Sequence, residues 1–250
     1  MTGPAARFAD PVELYDLCHQ WVDHARHGAR VAAFLRDLGV PVGGAVIEAA
    51  CGTGLWLAAL GPRWERGGFD LHASSLSRAR TRVPHGTFWQ ADLADWAPAA
   101  PVEAVLCLFG ALAYVPEAQL DAAAACLADA LAPGGVALVE PWVRPDEFVA
   151  GQPQQVVVDT PWLKVCRQVL PRREGDQAVL AFHHLVSGPG LPPALVRSED
   201  RLWLRDDARL AAALTHAGLR EAGAIEGTMP GRQITAWRAR SSADRVGSIG

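Results

Sequence analysis

Apolar residues recur at three- and four-residue steps along the first 40 residues of the chain. The repeating positions are Leu14, Leu17, Trp21, Val31, Phe34, Leu35 and Leu38. This spacing is typical of amphipathic helices that bury one face. Gly39 and Pro41, followed by Gly43 and Gly44, end the pattern. We therefore predict helices within residues 1–40.

Between residues 41 and 145, short apolar runs alternate with helical spacing. The run AVIEAA leads into the glycine turn CGTG, and LWLAAL then repeats at helical intervals. The alternation continues through the strand-like runs RGGFDL, GTFWQADL, VEAVLCLFG and VALVEPW, with SLSRARTRV and EAQLDAAAACLADAL as helices. Such alternation is typical of a parallel sheet covered by helices. It predicts an α/β fold with a doubly wound, mainly parallel, Rossmann-like sheet.

The period changes after about residue 145. Four strand-like runs follow without helices between them: QQVVVDT, WLKVCRQVL, QAVLAFHHLVS and VRSEDRLWLR. REGD and the proline-rich SGPGLPP are predicted to be turns. We therefore predict an antiparallel β insertion over 146–204. The helical DARLAAALTHAG and the strand QITAWRAR complete the core over 205–240, and 241–250 is predicted to be a loose tail.

The composition narrows the class of protein. Half of the 250 residues are hydrophobic and the net charge is −4, which excludes a disordered chain. Without a basic excess, we expect neither a nucleic-acid partner nor a membrane-surface partner. The sequence has no apolar run of about 18 residues that would span a bilayer. Its first residues also lack a signal-peptide pattern, so we predict a cytoplasmic protein.

The cysteine and histidine spacings do not suggest a metal site. The five cysteines are scattered without a CxxC pair, which fits reduced thiols better than disulfides or zinc ligands. His24 and His27 lie three residues apart on a predicted helix but have no third ligand. His183 and His184 are adjacent on a predicted strand and therefore point to opposite faces. We predict no bound metal.

The clearest chemical signal lies at the junction of the first strand and helix. Glu48 belongs to the end of the strand, and Gly52 and Gly54 form the turn into the helix. Glycines let the backbone pass close to a ligand, with the helix N-terminus aimed at it. The dinucleotide fingerprint G-x-G-x-x-G is absent. An acid on the strand itself suits an amino-acid moiety better than a pyrophosphate.

Two further acids follow the next two strands. Asp70 comes 16 residues after Gly54, where a carboxylate can accept both hydroxyls of a ribose. Asp92, in WQADL, can accept an exocyclic amine such as that of adenine. Because the carboxyl ends of parallel strands meet at one edge, we expect the three acids and the glycine turn to converge there.

The order of these features resembles the class I S-adenosylmethionine-dependent methyltransferases. The resemblance covers residues 44–140: E-x-x-C-G-T-G, the two later acids, and L-A-P-G-G before the fifth strand. A narrower resemblance is to the N,N-dimethyltransferases that act on nucleotide-linked aminosugars in antibiotic biosynthesis. It rests on ELYD, CLFGALAYV, LAPGGVALVEPW, PDEF and MPGR. Both resemblances imply S-adenosyl-L-methionine as the cofactor and a small-molecule acceptor.

The resemblance also implies roles for individual residues. Tyr15 and Tyr114 are the implied catalytic residues, with Tyr15 in a helical lid formed by residues 1–40. Cofactor contacts are implied for Tyr15, Glu48, Ala50, Gly52, Gly54, Asp70, Leu71, Asp92, Leu93 and Phe109. Acceptor contacts are implied for Arg167 and Arg232. Glu140 and Trp142 follow the fifth strand, on the rim where substrates bind, and are predicted acceptor contacts from that position. Tyr114 and His183 complete the predicted acceptor contacts. The segment 41–145 is the implied cofactor-binding core, and the insertion is expected to cover the active site.

The acceptor pocket departs from the family pattern. Where the family carries a serine pair and a histidine after the fourth strand, this chain has Gly110, Ala111 and Tyr114. We expect N-methylation of a nucleotide-linked aminosugar, with Arg232 against its pyrophosphate. The alternatives are an O- or N-methyltransferase of a non-nucleotide natural product, and a protein that binds the cofactor without transferring methyl. The number of methyl groups added and the oligomeric state stay open, with a homodimer as one option.

Overall fold

The structure is a computed structural model that describes residues 11–241. It divides into two compact units, each described here by itself. The smaller unit combines the described residues up to Val22 with Pro145–Leu204, and the larger unit combines Asp23–Arg144 with the described residues from Arg205 onward. The predicted tail over 241–250 lies outside the described residues apart from Ser241, as do the first ten residues of the predicted lid.

The described residues form six α-helices and eleven strands. The helices are α1 (Pro11–Cys18), α2 (His24–Asp37), α3 (Leu55–Leu60), α4 (Ala73–Arg82), α5 (Leu120–Asp129) and α6 (Asp207–His216). The strands are β1 (Ala45–Ala49), β2 (Glu65–Asp70), β3 (Thr87–Gln90), β4 (Val102–Cys107), β5 (Leu131–Val139), β6 (Gln154–Asp159), β7 (Lys164–Glu174), β8 (Gln177–Gly188), β9 (Leu191–Trp203), β10 (Arg220–Glu226) and β11 (Gln233–Arg238).

The larger unit contains a seven-stranded sheet in the order β10-β11-β5-β4-β1-β2-β3. Strands β1 to β5 are parallel, whereas β11 runs antiparallel to β5 and β10 antiparallel to β11. Leu127 of α5 and Leu214 of α6 share one core cluster with the sheet, and Leu57 of α3 and Leu76 of α4 belong to another. The predicted doubly wound, mainly parallel sheet is confirmed.

The smaller unit contains a four-stranded antiparallel sheet in the order β6-β7-β8-β9. Helix α1 packs on it through a buried cluster formed by Leu14, Cys18, Val158, Leu163, Val165 and Val186. The predicted antiparallel insertion therefore exists as a separate sheet. Between Pro11 and Ser241 the structure has no helix with the length and apolar character needed to cross a membrane.

Some predicted element boundaries differ from the structure. The helical segment over 1–40 is divided after Val22, because α2 packs on α3 and joins the larger unit. Only two residues separate β8 from β9, so most of the predicted turn SGPGLPP is strand. Its prolines are tolerated because β9 is an edge strand. The edge strand β10 is largely exposed, so it has no apolar alternation by which it could be predicted.

Candidate active site

The carboxyl ends of β1 to β5 meet at one edge of the seven-stranded sheet, which we name the carboxyl edge. The strand order reverses between β1 and β4, and open α/β sheets bind ligands outside the carboxyl ends at such a point. The turn between β10 and β11 lies at the same edge, because antiparallel pairing places Thr235 beside Val139 at the end of β5. The predicted glycine turn, the three acids and Arg232 all belong to this edge.

The turn between β1 and α3 is built from left-handed backbone. Ala50, Gly52 and Gly54 have φ angles of 53°, 51° and 75°. Gly54 is required, since a Cβ atom there would also lie 3.1 Å from the Cβ of Ala79. Ala50 carries a Cβ atom, so its left-handed conformation costs about 1–2 kcal/mol. Strained backbone of this kind clusters at ligand sites.

Glu48 lies in β1 just before this turn and is 2% exposed. Its Oε2 atom has no hydrogen-bond partner among the described residues. Burial raises the pKa of Glu48 well above its ordinary value; a hydrogen bond from the Leu57 backbone opposes this shift and the charge of Asp70 adds to it. A buried carboxyl with an unpartnered oxygen beside a glycine turn suits the cationic amino group of an amino acid.

Asp70 ends β2 and joins two loops. Its Oδ2 atom accepts the N–H of Gly52 at 2.9 Å, and its Oδ1 atom accepts the N–H of His72 at 2.9 Å. Oδ1 also lies 3.3 Å from Nδ1 of the exposed His72 ring. A carboxylate has about four acceptor positions, so the room for a further donor is chiefly on Oδ2. Asp70 therefore shapes the glycine turn and retains the capacity to bind the hydroxyls of a ribose. The next residue, Leu71, is exposed at this edge.

Asp92 follows β3 in a tight turn. It is exposed, and its Oδ1 atom accepts the N–H of Ala94 at 2.9 Å, which orients the carboxylate. Leu93 beside it is buried in the sheet's main core cluster. The turn thus offers an oriented acceptor for an exocyclic amine on an anchored backbone.

The loop after β4 contains the second left-handed non-glycine residue among those described. Phe109 has a φ of 55° and Gly110 a φ of 73°, and a short 3-10 helix follows at Ala111–Tyr114. A Cβ atom on Gly110 would lie 2.8 Å from the Cβ of the half-buried Trp142. This contact explains why a serine does not fit at position 110. Tyr114 ends the segment and is 53% exposed.

Arg205 anchors this loop, and sequence reasoning missed it. Its guanidinium donates to the carbonyl oxygens of Leu112, at 2.8 Å, and Val115, and it pairs with Glu117 at 2.6 Å. The side chain is 4% exposed. Burial lowers the pKa of Arg205, while the hydrogen bond and charge of Glu117 oppose that shift. The path of the loop that ends in Tyr114 is therefore fixed by a buried cation.

Glu140 follows β5 but does not lie on the rim, where it was predicted to contact the acceptor. Its side chain is 0% exposed. Its oxygens accept the N–H of Phe109 at 2.8 Å, the hydroxyl of Thr228 at 2.7 and 2.8 Å, and the N–H of Met229 at 3.3 Å. Because protein donors surround both oxygens in the core, the predicted acceptor contact is wrong.

Arg232 closes the turn between β10 and β11. Its N–H donates to the carbonyl of Met229 at 3.1 Å, and its carbonyl accepts the N–H of Gly227 at 2.8 Å. Arg232 is 8% exposed. A guanidinium that is largely withdrawn from water at a ligand-binding edge is suited to a planar, bidentate anion such as a phosphate.

An aromatic group lies beside the glycine turn. The ring centroid of Trp56 is 4.7 Å from that of His24, 6.3 Å from that of His27 and 6.4 Å from that of Phe109. The two imidazoles on α2 thus pack on an indole, a partner that their spacing did not indicate. The group supplies apolar bulk next to Gly54.

In the smaller unit, Tyr15 lies on α1 and is 41% exposed. Its ring centroid is 4.1 Å from that of His19. The neighbouring side chains of Leu14 and Cys18 are buried and hold α1 on the antiparallel sheet. Tyr15 is therefore available at the surface, which a ligand-contacting role requires.

Arg167 and His183 lie on opposite faces of the antiparallel sheet. The register pairs Arg167 with His184, whereas His183 pairs with Gln168, and directly paired residues share a face. The Arg167 guanidinium lies 5.6 Å from the centroid of the Phe182 ring, on the face of His184. The two predicted acceptor contacts therefore lie on opposite faces of this sheet, and a contact of one face with the acceptor involves only one of them.

His184, for which no ligand contact was predicted, is the buried histidine of the pair. It is 6% exposed, and its Nδ1 atom has no hydrogen-bond partner among the described residues. Burial lowers the pKa of His184, and the nearby charge of Arg167 lowers it further. The alternation of the strand could place the two histidines on opposite faces, but not identify which face is buried.

The residues at the carboxyl edge fit one cofactor. Glu48 suits an amino-acid ammonium group, Asp70 a pair of ribose hydroxyls and Asp92 an adenine amine. S-adenosylmethionine carries all three groups. The fold and this edge define a Rossmann-like, S-adenosylmethionine-dependent methyltransferase.

Comparison with known proteins gives the same class of enzyme. A family model described as a methyltransferase domain matches residues 46–135. The dTDP-3-amino-3,6-dideoxy-alpha-D-glucopyranose N,N-dimethyltransferase of Streptomyces fradiae is 32% identical over 222 residues, which cover 87% of each chain. The dTDP-3-amino-3,4,6-trideoxy-alpha-D-glucopyranose N,N-dimethyltransferase of Streptomyces venezuelae is 31% identical over 229 residues, 90% of this chain and 96% of the relative. The solved structure of Streptomyces venezuelae DesVI matches 96% of this chain and 100% of that chain, with a TM-score of 0.83 and 29% identity.

The chain belongs to the family of nucleotide-linked aminosugar N,N-dimethyltransferases. It is a methyltransferase, and S-adenosyl-L-methionine is its methyl donor. The predicted family, enzyme class and cofactor are confirmed. The alternative of a protein that binds the cofactor without transferring methyl is not supported.

Proposed function

We propose that this enzyme methylates the amino group of a nucleotide-linked aminosugar in antibiotic biosynthesis. The observation that carries the proposal is the buried Arg232 at the carboxyl edge, since a guanidinium can hold a pyrophosphate through paired hydrogen bonds. The named activities of the Streptomyces relatives, which act on dTDP-linked aminosugars, support the same class of acceptor.

The residues that follow or end the first three strands would hold the cofactor. Glu48 would accept its ammonium group, Asp70 its ribose hydroxyls and Asp92 its adenine amine, while Gly52 and Gly54 let the backbone approach it. The bound cofactor would supply a methyl group from a sulfonium sulfur: the C–S bond breaks as the neutral acceptor nitrogen forms the new C–N bond, so the thioether leaves uncharged and needs no proton from the protein. The methylated nitrogen then carries the positive charge, which it loses with a proton to solvent. The chain's task is then to orient the acceptor nitrogen in line and to exclude water.

Because the reaction needs no acid from the protein, it is compatible with the apolar loop after β4. Because the leaving group needs no acid, residues without proton-transfer capacity are compatible with activity at positions 110 and 111. Trp56 and Phe109 would keep water from the reacting centre. Tyr114, exposed at the end of the loop, and the half-buried Trp142 are the proposed acceptor contacts in the larger unit.

Replacement of Arg232 by lysine tests the acceptor class. With a panel of dTDP-linked aminosugars, Arg232→Lys should raise the KM of the acceptor at least tenfold, about 1.4 kcal/mol, because lysine cannot bind a pyrophosphate bidentately. The affinity for S-adenosylmethionine should stay unchanged. Arg238→Lys is the matched control, since Arg238 ends the strand β11 that follows Arg232 and donates to the carbonyls of Gly134 and Leu38, away from the carboxyl edge.

A second readout uses the bare nucleotide. We expect dTDP to inhibit the wild-type enzyme competitively against the acceptor and to inhibit Arg232→Lys much more weakly. If neither effect occurs, the enzyme methylates a non-nucleotide natural product. That second candidate is favoured by the close contact of Gly110 with Trp142, which leaves no room for the family's polar side chain.

In the smaller unit we propose a role in turnover for Tyr15 and an acceptor contact for Arg167. The exposure of Tyr15 supports its role, because a side chain that is 41% exposed contributes less to packing than its buried neighbours Leu14 and Cys18. Tyr15→Phe should leave the melting temperature unchanged and lower kcat. A variant that melts early but has normal activity per folded molecule would make Tyr15 a packing residue instead.

We also propose that the enzyme is a homodimer that pairs through its antiparallel sheet. Val157, Cys166, Leu185 and Leu195 are cross-strand partners and form one row over all four strands. Val157 is 63% exposed, and Leu185 and Leu195 are each 51% exposed. A row of exposed apolar side chains that crosses a whole sheet is suited to the self-complementary contact of a twofold dimer.

Light scattering after size exclusion tests the dimer. Leu185→Arg would place a charge in the centre of the row and should give a monomer of unchanged secondary structure. Val42→Arg is the control, since Val42 is 69% exposed in the larger unit and outside the row. A wild-type monomer, or a Leu185→Arg variant that stays dimeric, would remove the sheet from the interface.

A further inference from the structure

The carboxylate of Glu140 is the most heavily engaged acid at the carboxyl edge. Its Oε1 atom accepts the N–H groups of Thr228, at 2.5 Å, and Met229, at 3.3 Å. Its Oε2 atom accepts the N–H of Phe109 at 2.8 Å, and the Thr228 hydroxyl lies within 2.8 Å of both oxygens. The side chain is 0% exposed, so water does not compete for these donors.

These donors come from two separate loops. Phe109 is the second residue of the loop after β4 and has a left-handed conformation, with a φ of 55°. Thr228 and Met229 belong to the turn between β10 and β11, which Arg232 closes. One carboxylate therefore fixes both the strained loop beside the cofactor turn and the turn that carries the arginine.

We propose that Glu140 is a positioning residue for acceptor binding: it holds the β10–β11 turn in the conformation that presents Arg232. The inference rests on the proposed role of Arg232 toward a nucleotide-linked acceptor. Glu140 itself contacts no ligand, and it acts through the backbone of Thr228 and Met229. Its second oxygen ties the same turn to Phe109.

The role depends on a group that only accepts hydrogen bonds. An ionised carboxylate offers two acceptor oxygens, whereas glutamine offers one oxygen and an NH2 group that can only donate. In Glu140→Gln, one set of backbone donors would therefore face another donor in a buried site. Either the Phe109 loop or the Thr228 turn has to move, although size and shape are almost unchanged.

Glu103 provides a matched control on the same sheet. Its Oε2 atom also accepts a backbone N–H, that of Ala45 at 2.6 Å, but at the opposite edge, where β1 begins. Glu103→Gln therefore changes the same chemical group in the same way, away from the carboxyl edge. We expect it to leave the KM of the acceptor unchanged.

The experiment measures kcat, the KM of a dTDP-linked aminosugar, dTDP inhibition and S-adenosylmethionine affinity. Glu140→Gln should raise the KM and the inhibition constant of dTDP about tenfold. The affinity for the cofactor should change less than threefold. Glu140→Gln combined with Arg232→Lys should raise the KM by much less than the product of the single effects, because both act on one contact.

Each outcome has a definite meaning. If Arg232→Lys raises the KM and Glu140→Gln does not, the positioning role is wrong while the proposed function stands. If Arg232→Lys has no effect, the proposed function fails and this inference fails with it. If Glu140→Gln does not fold, Thr228→Val decides, since it removes one donor to Glu140 and should raise the KM of the acceptor several-fold; an unchanged KM overturns the positioning role.

Discussion

The two edges of the seven-stranded sheet are formed by the same strands but are stabilised differently. At the carboxyl edge, β1 leads into the left-handed Ala50, and the buried Glu48 has an unpartnered oxygen. At the other end of β1, which we name the amino edge, the N–H of Ala45 donates to Glu103 in a partly buried hydrogen bond. The two non-glycine residues with positive φ among residues 11–241, Ala50 and Phe109, both belong to the carboxyl edge.

One cavity of the larger unit lies away from these features. A cavity of about 410 Å³ opens at the amino edge, where its lining includes Ala45, Arg66, Thr87, Trp89 and Val102. The carboxyl edge instead has the left-handed residues Ala50 and Phe109, the buried Glu48 with its raised pKa, and the buried guanidinium of Arg205. Local energetic cost therefore favours the carboxyl edge as the ligand site, although this cavity lies at the amino edge.

The largest expected difference concerns the two arginines that anchor loops at opposite edges. Arg205→Ala would leave Glu117 and the carbonyls of Leu112 and Val115 without their buried cation. We expect the free energy of unfolding to fall by about 3–5 kcal/mol. Arg238→Ala, at the amino edge, should cost about 1–2 kcal/mol, because its two bonds to carbonyls are only partly buried. Urea unfolding of both variants measures the difference; equal losses would mean that the loop after β4 has no special anchor.

The ends of β2 provide the second contrast. Asp70→Ala should weaken S-adenosylmethionine binding by about 2–3 kcal/mol, the scale of charge-assisted bonds to two hydroxyls. It also removes the acceptor for the N–H of Gly52, which loosens the glycine turn. Glu65→Ala, at the exposed beginning of the same strand, should leave the affinity unchanged. Calorimetry decides, and an unaltered affinity in Asp70→Ala would remove the ribose assignment.

A smaller effect is expected for Glu48→Gln, which should weaken cofactor binding but raise the free energy of unfolding. Glu48→Gln should lower cofactor affinity roughly tenfold, about 1.4 kcal/mol, because the amide is a weaker partner for an ammonium group. Burial gives Glu48 a higher pKa in the native state than in the unfolded chain. The native state therefore keeps this proton to a higher pH than the unfolded chain does. As a result, the free energy of unfolding decreases as the pH rises from the pKa of Glu48 in the unfolded chain through its pKa in the native state.

Glu48→Gln should therefore be more stable than the wild type at pH 8, with the advantage shrinking towards pH 4. Glu103→Gln is the control for the loss of a carboxylate at the amino edge. Cofactor binding to the wild type should also release a proton, because an ammonium partner favours the ionised carboxylate. Titration calorimetry in buffers of different ionisation enthalpy detects that proton. No release, together with parallel stability curves, would assign Glu48 to packing alone.

The sequence predicted those features of the carboxyl edge that depend on neighbouring residues in the chain. Apolar runs alternating with helices predicted β1 to β5, and the acids after the strands predicted where Asp70 and Asp92 lie. These features follow from strand period and from the geometry of parallel sheets. The exposed β10 had no such period and was not located.

Features that depend on contacts between segments distant in sequence could not be predicted from the sequence. Glu140 was expected on the rim, but a turn 88 residues away in sequence buries it. Arg205 was the last residue of the predicted strand VRSEDRLWLR, and nothing in that run indicated its role in the loop after β4. The sequence predicted acceptor contacts for both Arg167 and His183, whereas the register of β7 and β8 places them on opposite faces. In each case the position of the side chain depends on a contacting residue that is distant in sequence, and the periodicity of apolar residues does not predict such a contact.

The smallest expected effect compares the two ends of β1. Ala50→Gly relieves a left-handed conformation that costs alanine about 1–2 kcal/mol, and glycine's greater freedom in the unfolded chain offsets about 0.5–1 kcal/mol of that gain. We expect the free energy of unfolding to rise by about 0.5 kcal/mol. Ala45→Gly, in ordinary strand backbone, should instead lower it by about 0.5–1 kcal/mol. The affinity for S-adenosylmethionine should fall slightly in Ala50→Gly only, because a relaxed turn is less preorganised for its ligand. Parallel denaturation curves test the sign: destabilisation of both variants by the same amount would show that Ala50 stores no strain, and the contrast between the two edges would then rest on their charged groups alone.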